Sequence, residues 1–372
     1  MNRRTFLHAS TLTAAAMATA SAAKASRAGR IRNEEIEMRK SGAFWPNGAR
    51  LVVSVSMQFE AGAQPERGAE SPFPVIDTKY PDVPVGKWYD YGFKEGIPRM
   101  LDMFDRVGVK VTSHMVGAAV ERNPQLAKEI VQRGHEAAGH GQTWTPQFSM
   151  TPEEEHTSYQ ASIKTIETAT GTRPVGFNAF WLRGTLHTLQ ILQDLGFIYH
   201  IDDISRDEPF LVPVRNKPFV VVPYTIHTND IVNYEARHWT GAQFASELKY
   251  EFDQLYAEAA TRRRMMSVSA HDRITGRPAR TKVLEDFIIY AQKQPGVVFL
   301  RKDQIARFAL ESSATPRKGR SGLMTVLMTT TPFTGTSSAI SGACTPPMLM
   351  PITNTLSEST NGYALSAFNP AT

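Results

Sequence analysis

The 372-residue chain holds a single cysteine, Cys344, which excludes an internal disulfide framework and any Cys-x-x-Cys metal or redox site. Beyond the first 25 residues there is no run of 18 or more apolar residues, so no membrane span is expected. No Gly-x-Gly-x-x-Gly or Gly-x4-Gly-Lys-Ser/Thr follows a candidate strand, and nucleotide binding has no support. Gly-x-Ser-x-Gly is missing too, which removes the serine-hydrolase elbow. Neither sign of charge dominates. Against 36 Asp+Glu there are 41 Lys+Arg, a formal +5. Three of these cations (Arg3, Arg4, Lys24) lie in a segment expected to be cleaved, which leaves +2 and no nucleic-acid footprint.

What is present is a globular composition, 41% hydrophobic and 21% charged, enough for a sizeable core. Residues 1–25 combine an Arg3-Arg4 pair, an Ala/Thr-rich apolar stretch and an Ala23-Lys24-Ala25 cleavage site. They read as a twin-arginine-type export signal, which predicts a periplasmic protein. A polar arm (26–48) follows, then an α/β region (49–310). Residues 311–372 contain only two acids, Glu311 and Glu358, show no amphipathic period and read as a disordered tail.

Within 49–310, short β-branched runs such as Leu51–Ser56, Phe219–Tyr224 and Met265–Ala270 alternate with amphipathic runs. Thr151-Pro152-Glu153-Glu154 is a capping box opening a helix that ends at Gly171. Residues 61–92 lack periodicity and read as a long functional loop. About seven strands separated by helices demand a parallel sheet, and its length suits an α/β barrel. In such a barrel catalytic groups stand where strands end. The candidate strand ends carry Glu60, His140, Asn178, Asp202-Asp203, Thr228-Asn229-Asp230 and His271-Asp272-Arg273. The run His135-Glu136-Ala137-Ala138-Gly139-His140 is one residue too long for a helical zinc motif, because five residues at about 100° each turn the two imidazoles off a common face.

Six stretches occur in an order that resembles the polysaccharide deacetylase superfamily, in particular its allantoinase-like and cyclic-imide-hydrolysing branch. They are Gln58-Phe59-Glu60-Ala61-Gly62, Gly134–Gly141, Arg173-Pro174-Val175-Gly176, Asp202–Phe210, Val222-Pro223-Tyr224 with Thr228-Asn229-Asp230, and Ser269–Pro278. The resemblance implies a distorted (β/α) barrel of about seven parallel strands and hydrolysis of non-peptide C–N bonds. The substrate would be an N-acetylated carbohydrate or a small cyclic amide or ureide. It also implies either one divalent metal such as zinc, with Glu60 and His140 as ligands and His114, His200 or His271 open as a third, or metal-independent catalysis, which this branch includes. Family members often carry a second histidine four residues after the first, where this chain has Trp144.

On this reading Glu60 is the general base or a metal ligand, and His271 is the general acid. Asp202 or Asp203 orients His271 or receives substrate N–H groups. Asn178 and Arg183 donate to a substrate carbonyl, and Trp144 and Trp181 wall the pocket. Expected partners are a small molecule or glycan. The alternative is a catalytically impaired glycan-binding protein on the same scaffold.

Overall fold

The computed structural model describes residues 44–314. The expected export segment, most of the arm and the tail beyond Ala314 lie outside the described residues. The last helix runs past the boundary expected at residue 310.

Nine strands form one sheet: β1 (Leu51–Phe59), β2 (Thr112–Met115), β3 (Glu136–Gly139), β4 (Gly176–Phe177), β5 (Tyr199–His200), β6 (Phe210–Val214), β7 (Lys217–Val221), β8 (Met265–His271) and β9 (Val297–Phe299). Their order is β6-β7-β5-β4-β3-β2-β1-β8. All ladders are parallel except β6–β7. Since β8 pairs Val52–Gln58 of β1, β9 must use the edge that β1 also offers to β2. The barrel closes without a further strand. A parallel bridge joins Asn229 to Ser269, and the Ser269 amide donates to the Thr228 carbonyl at 3.0 Å. The segment after β7 is thereby tied to the free edge of β8.

Every residue of β1 is buried, because both of its faces are covered. Leu51, Val53, Val55, Met57 and Phe59 pack into the larger apolar core, along with Met266, Val268 and Ala270 of β8. The intervening Val52, Ser54, Ser56 and Gln58 face the barrel interior. Val52 joins an apolar cluster with Ile201, Val220 and Val222, while the serines line a polar part of the interior. Lys302, fully buried, reaches Ser54 Oγ and Ser267 Oγ at 3.5 and 3.4 Å. Burial brings its ammonium down to about 7, against the raising effect of Glu136.

The helices are α1 (Val83–Tyr91), α2 (Ile97–Arg106), α3 (Gly117–Arg122), α4 (Pro124–Gln132), α5 (Pro152–Thr170), α6 (Thr188–Asp194), α7 (Gly241–Glu258), α8 (Pro278–Gln292) and α9 (Lys302–Ala314). Helix α5 starts on the expected capping box and ends on Gly171 at φ 72°. Among the elements that depart from the sequence reading are α1 and the β6–β7 hairpin. Residues 83–91 are helical, not loop: the Asp82 carboxylate accepts from Val85 N and Pro84 sits in the first turn. A π-turn, Gly92–Gly96, carries this helix into α2. The β6–β7 hairpin was not expected, because its turn uses Arg215 and Asn216, both at positive φ, without the glycine that marks such turns. Pro213 is tolerated because β6 is an edge strand.

Glu155 of α5 is completely buried and holds the loop leading to α6. It accepts from Tyr159 Oη at 2.7 Å, from Thr185 Oγ1 at 2.6 Å and from the Thr188 hydroxyl. Glu155→Ala strands these hydroxyls. It should cost about 2–4 kcal/mol in chemical denaturation, with Glu155→Gln losing clearly less.

Candidate active site

Glu60 directly follows β1, His140 follows β3, and His271 ends β8. Parallel strands deliver all three to one end of the barrel. Glu60 Oε1 lies 3.4 Å from His140 Nε2 and 3.6 Å from His271 Nε2. All three side chains are at least nine-tenths buried.

Each imidazole is fixed from its far side. His140 Nδ1 lies 2.8 Å from the Asn178 carbonyl and must donate to it, so Nε2 faces Glu60. His271 Nδ1 lies 2.5 Å from Asp230 Oδ1. Asp230 Oδ2 in turn accepts from His271 N (2.6 Å), Thr275 N (3.1 Å) and Thr275 Oγ1 (2.6 Å). Burial opposes charge on His271, but Asp230 and Glu60 outweigh it and raise its pKa above the ordinary value. Burial likewise pushes the Asp230 carboxyl up, and His271 and the hydrogen bonds more than reverse this.

The other face of Glu60 is a second ion pair. Arg273 Nη1 donates to Glu60 Oε2 at 2.6 Å. The guanidinium is held among Trp88, Tyr89 and Trp144, whose ring centroids lie 5.2, 4.7 and 5.6 Å from Cζ. Its Nε is buried without a partner. Burial alone would raise the Glu60 carboxyl. The charges of His271 and Arg273 and the contact with His140 overcome that and hold it well below the usual carboxylate range. Asp272 secures the backbone here: its Oδ2 accepts from Glu60 N at 2.8 Å and Ala61 N at 2.7 Å.

Glu60, His140, His271 and Arg273 line a cavity of about 790 Å³. Glu60, His140, His271, Asn178, Trp144 and Trp181, all expected at the site, line it together. The expectations for Asp202, Asp203 and Arg183 need correction. Asp202 does not orient His271; it accepts from Asn178 Nδ2 (3.0 Å) and Ala179 N (2.9 Å) and shapes the loop after β4. The reason is sheet order: β5 lies between β4 and β7, whereas the segment carrying Asp230 is bridged to β8 itself. Asp203 caps Ser205 N at 2.9 Å, and neither Asp203 nor Arg183 lines the cavity. Arg183 instead lies over the Trp181 ring, 5.9 Å from its centroid. No roles were read for Arg273, Asp230 and Asp272 in the sequence, although Asp272 and Arg273 follow His271 directly.

The polysaccharide deacetylase family matches residues 79–200. A solved structure from Pseudomonas aeruginosa PAO1, described as a probable polysaccharide deacetylase, is 32% identical, with a TM-score of 0.68 over 73% of this chain and 95% of that one. The chain belongs to the polysaccharide deacetylase family. Puue allantoinase is similarly related, with 29% identity and a TM-score of 0.69 over 73% of this chain and 94% of that one. A Helicobacter pylori peptidoglycan deacetylase is 29% identical over 136 residues, 36% of this chain and 46% of that protein.

Against the metal that this deacetylase family implies, the donor set does not fit. Glu60 Oε2 is taken by a guanidinium, so a dication at Glu60 would sit beside the charge of Arg273. The position four residues after His140 is filled by the Trp144 ring, which packs toward Arg273. Ala61 offers no second carboxylate. Among the described residues no group of three or more His, Cys, Asp or Glu is arranged to hold a metal ion. At this deacetylase-like centre Arg273 supplies a fixed positive charge against Glu60, and Asp230 and Glu60 favour the protonated form of His271. Among the described residues no helix is long and apolar enough to cross a membrane.

Proposed function

We propose that this deacetylase-family protein hydrolyses an amide C–N bond of an N-acetylated carbohydrate, with a carboxylate and an imidazole sharing the proton transfers. The observation that carries this is Glu60 Oε1 standing within 3.4 and 3.6 Å of two imidazole Nε2 atoms, each anchored from behind. Glu60 is held in the ionised, proton-accepting form, and its Oε1 is placed to take the proton of an attacking water as the nitrogen is protonated. His271, biased toward the protonated form, gives its Nε2 proton to the departing nitrogen as the C–N bond breaks. The proton on Glu60 then returns to His271 across the 3.6 Å contact, and the centre is reset. Arg273 steadies the negative charge through both transfers. The convergence of Glu60, His140 and His271 disfavours the reading as an impaired binding protein. The export signal read in residues 1–25 supports a glycan of the cell envelope as the substrate.

A cyclic amide is the second reading, favoured by the likeness to Puue allantoinase. Acetate release from chitotetraose and ring opening of allantoin, each with and without EDTA, separate the two. Turnover of chitotetraose should survive the chelator, and Glu60→Gln should lower kcat by about 10²-fold or more. Unchanged turnover in both Glu60→Gln and His271→Ala would sink the assignment. Activity lost to EDTA and regained with zinc would overturn the charge arrangement argued above.

A further inference from the structure

Among the aromatic rings lining the cavity, Trp181 is the exposed one, 50% accessible. Its backbone is in the left-handed region at φ 54°, and Leu182 follows at φ 60°. Two consecutive bulky residues there are costly, and such strain persists only where surrounding structure imposes it. Here it is imposed. Phe180 N donates to Gln147 Oε1 at 2.6 Å, Leu182 N to Ala179 O at 2.9 Å and Arg183 N to Phe180 O at 3.0 Å. The fold thus holds a large apolar ring out in water.

That ring is the outer end of a continuous belt. Trp181 and Phe180 have centroids 4.8 Å apart, Phe180 and Trp144 5.0 Å, and Trp144 and Tyr89 6.4 Å. The inner end of the belt encloses Arg273, which grips Glu60. Glu70, Glu235 and His238 line the same cavity and offer acceptors for hydroxyl groups. At about 790 Å³ the cavity lies in the upper part of the usual ~300–1,000 Å³ range for ligand sites. An exposed indole face beside hydroxyl acceptors suits a pyranose ring, with an apolar C–H face and a polar rim.

We propose that Trp181 is an outer subsite: it stacks the sugar residue next to the one whose amide is hydrolysed, so the protein prefers an oligosaccharide to a single acetamido sugar. This rests on the amide-hydrolase reading above.

The test compares chitotetraose with N-acetylglucosamine on wild type, Trp181→Ala, Trp181→Phe and Trp181→Gly. Glycine accepts the left-handed backbone and so keeps the loop intact without the ring. Acetate release gives kcat/KM for each sugar. Calorimetric titration of chitotetraose into Glu60→Gln, with and without the added Trp181 change, gives binding without turnover. The preference for the tetramer should fall about tenfold in both Ala and Gly variants and be largely kept by Phe. A preference within twofold of wild type in Ala and Gly overturns the subsite while leaving the hydrolase reading standing. Trp181-dependent binding of the tetramer without any acetate release upholds the subsite and overturns the hydrolase reading.

Discussion

Asp230→Asn should lower kcat/KM by about 10²–10⁴-fold and move the alkaline limb of the pH–rate profile toward lower pH. Asp230 Oδ2 already receives three donors, His271 N, Thr275 N and Thr275 Oγ1. An asparagine must therefore keep its oxygen there and turn its NH2 group toward His271 Nδ1. That nitrogen must then accept, and the neutral ring carries its proton on Nε2. The imidazolium also loses its leading counter-charge. His271 works in its protonated form, and its folded-state pKa is raised by Asp230 and Glu60 against burial. Activity is thus present below that pKa and lost as pH rises through it. Removing the Asp230 charge brings the limb down. The acid limb belongs to Glu60, whose carboxyl lies well below the usual range, and should move little. A full pH profile of kcat/KM for both proteins checks this. An alkaline limb that stays put would mean that His271 is not the group titrating there.

Gly96→Ala should destabilise the fold by about 3 kcal/mol or more, the upper end for overpacking against rigid structure. A Cβ on Gly96 would lie 1.9 Å from the Asp272 carbonyl oxygen, and one on Gly276 would lie 2.1 Å from the same atom. The obstacle is backbone pressed between two glycines, so no rotamer change relieves it. Asp272 also holds the amides of Glu60 and Ala61, so displacement of the π-turn should disturb Glu60 directly. The folded fraction should accordingly show reduced kcat/KM as well as a lower Tm. Gly86→Ala, in α1, is the control. A Cβ there meets nothing within 4 Å, and the change should be neutral or stabilising by up to about 1 kcal/mol. If Gly96→Ala melts with wild type, the close approach does not constrain the fold.

The barrel was legible because its strands are continuous β-branched runs buried on both faces, as in Leu51–Phe59, and because helix α5 announces both its ends. The hairpin and α1 were not. Arg215-Asn216 turns without glycine, and α1 is nine residues that stay helical through the π-turn and its contact with Asp272. Within the site, Glu60, His140 and His271 could be picked out because each is an acid or imidazole at a strand end. Their supporting groups could not, because a carboxylate such as Asp230 looks in the chain like Asp202 or Asp203.

Taken alone, the order of residues along the polymer determined the fold class, the strand ends that bear chemistry and the family. The partner of each reactive group was decided only in three dimensions. Asp230 rather than Asp202 reaches His271 because the barrel closes through the Asn229–Ser269 bridge. Arg273 faces Glu60 because the Trp88 and Tyr89 rings of α1 and the Trp144 ring of a separate loop hold its guanidinium there. Hydrogen bonds and ion pairs act over a few ångströms, and residues distant along the chain come that close only once the sheet has set their neighbours.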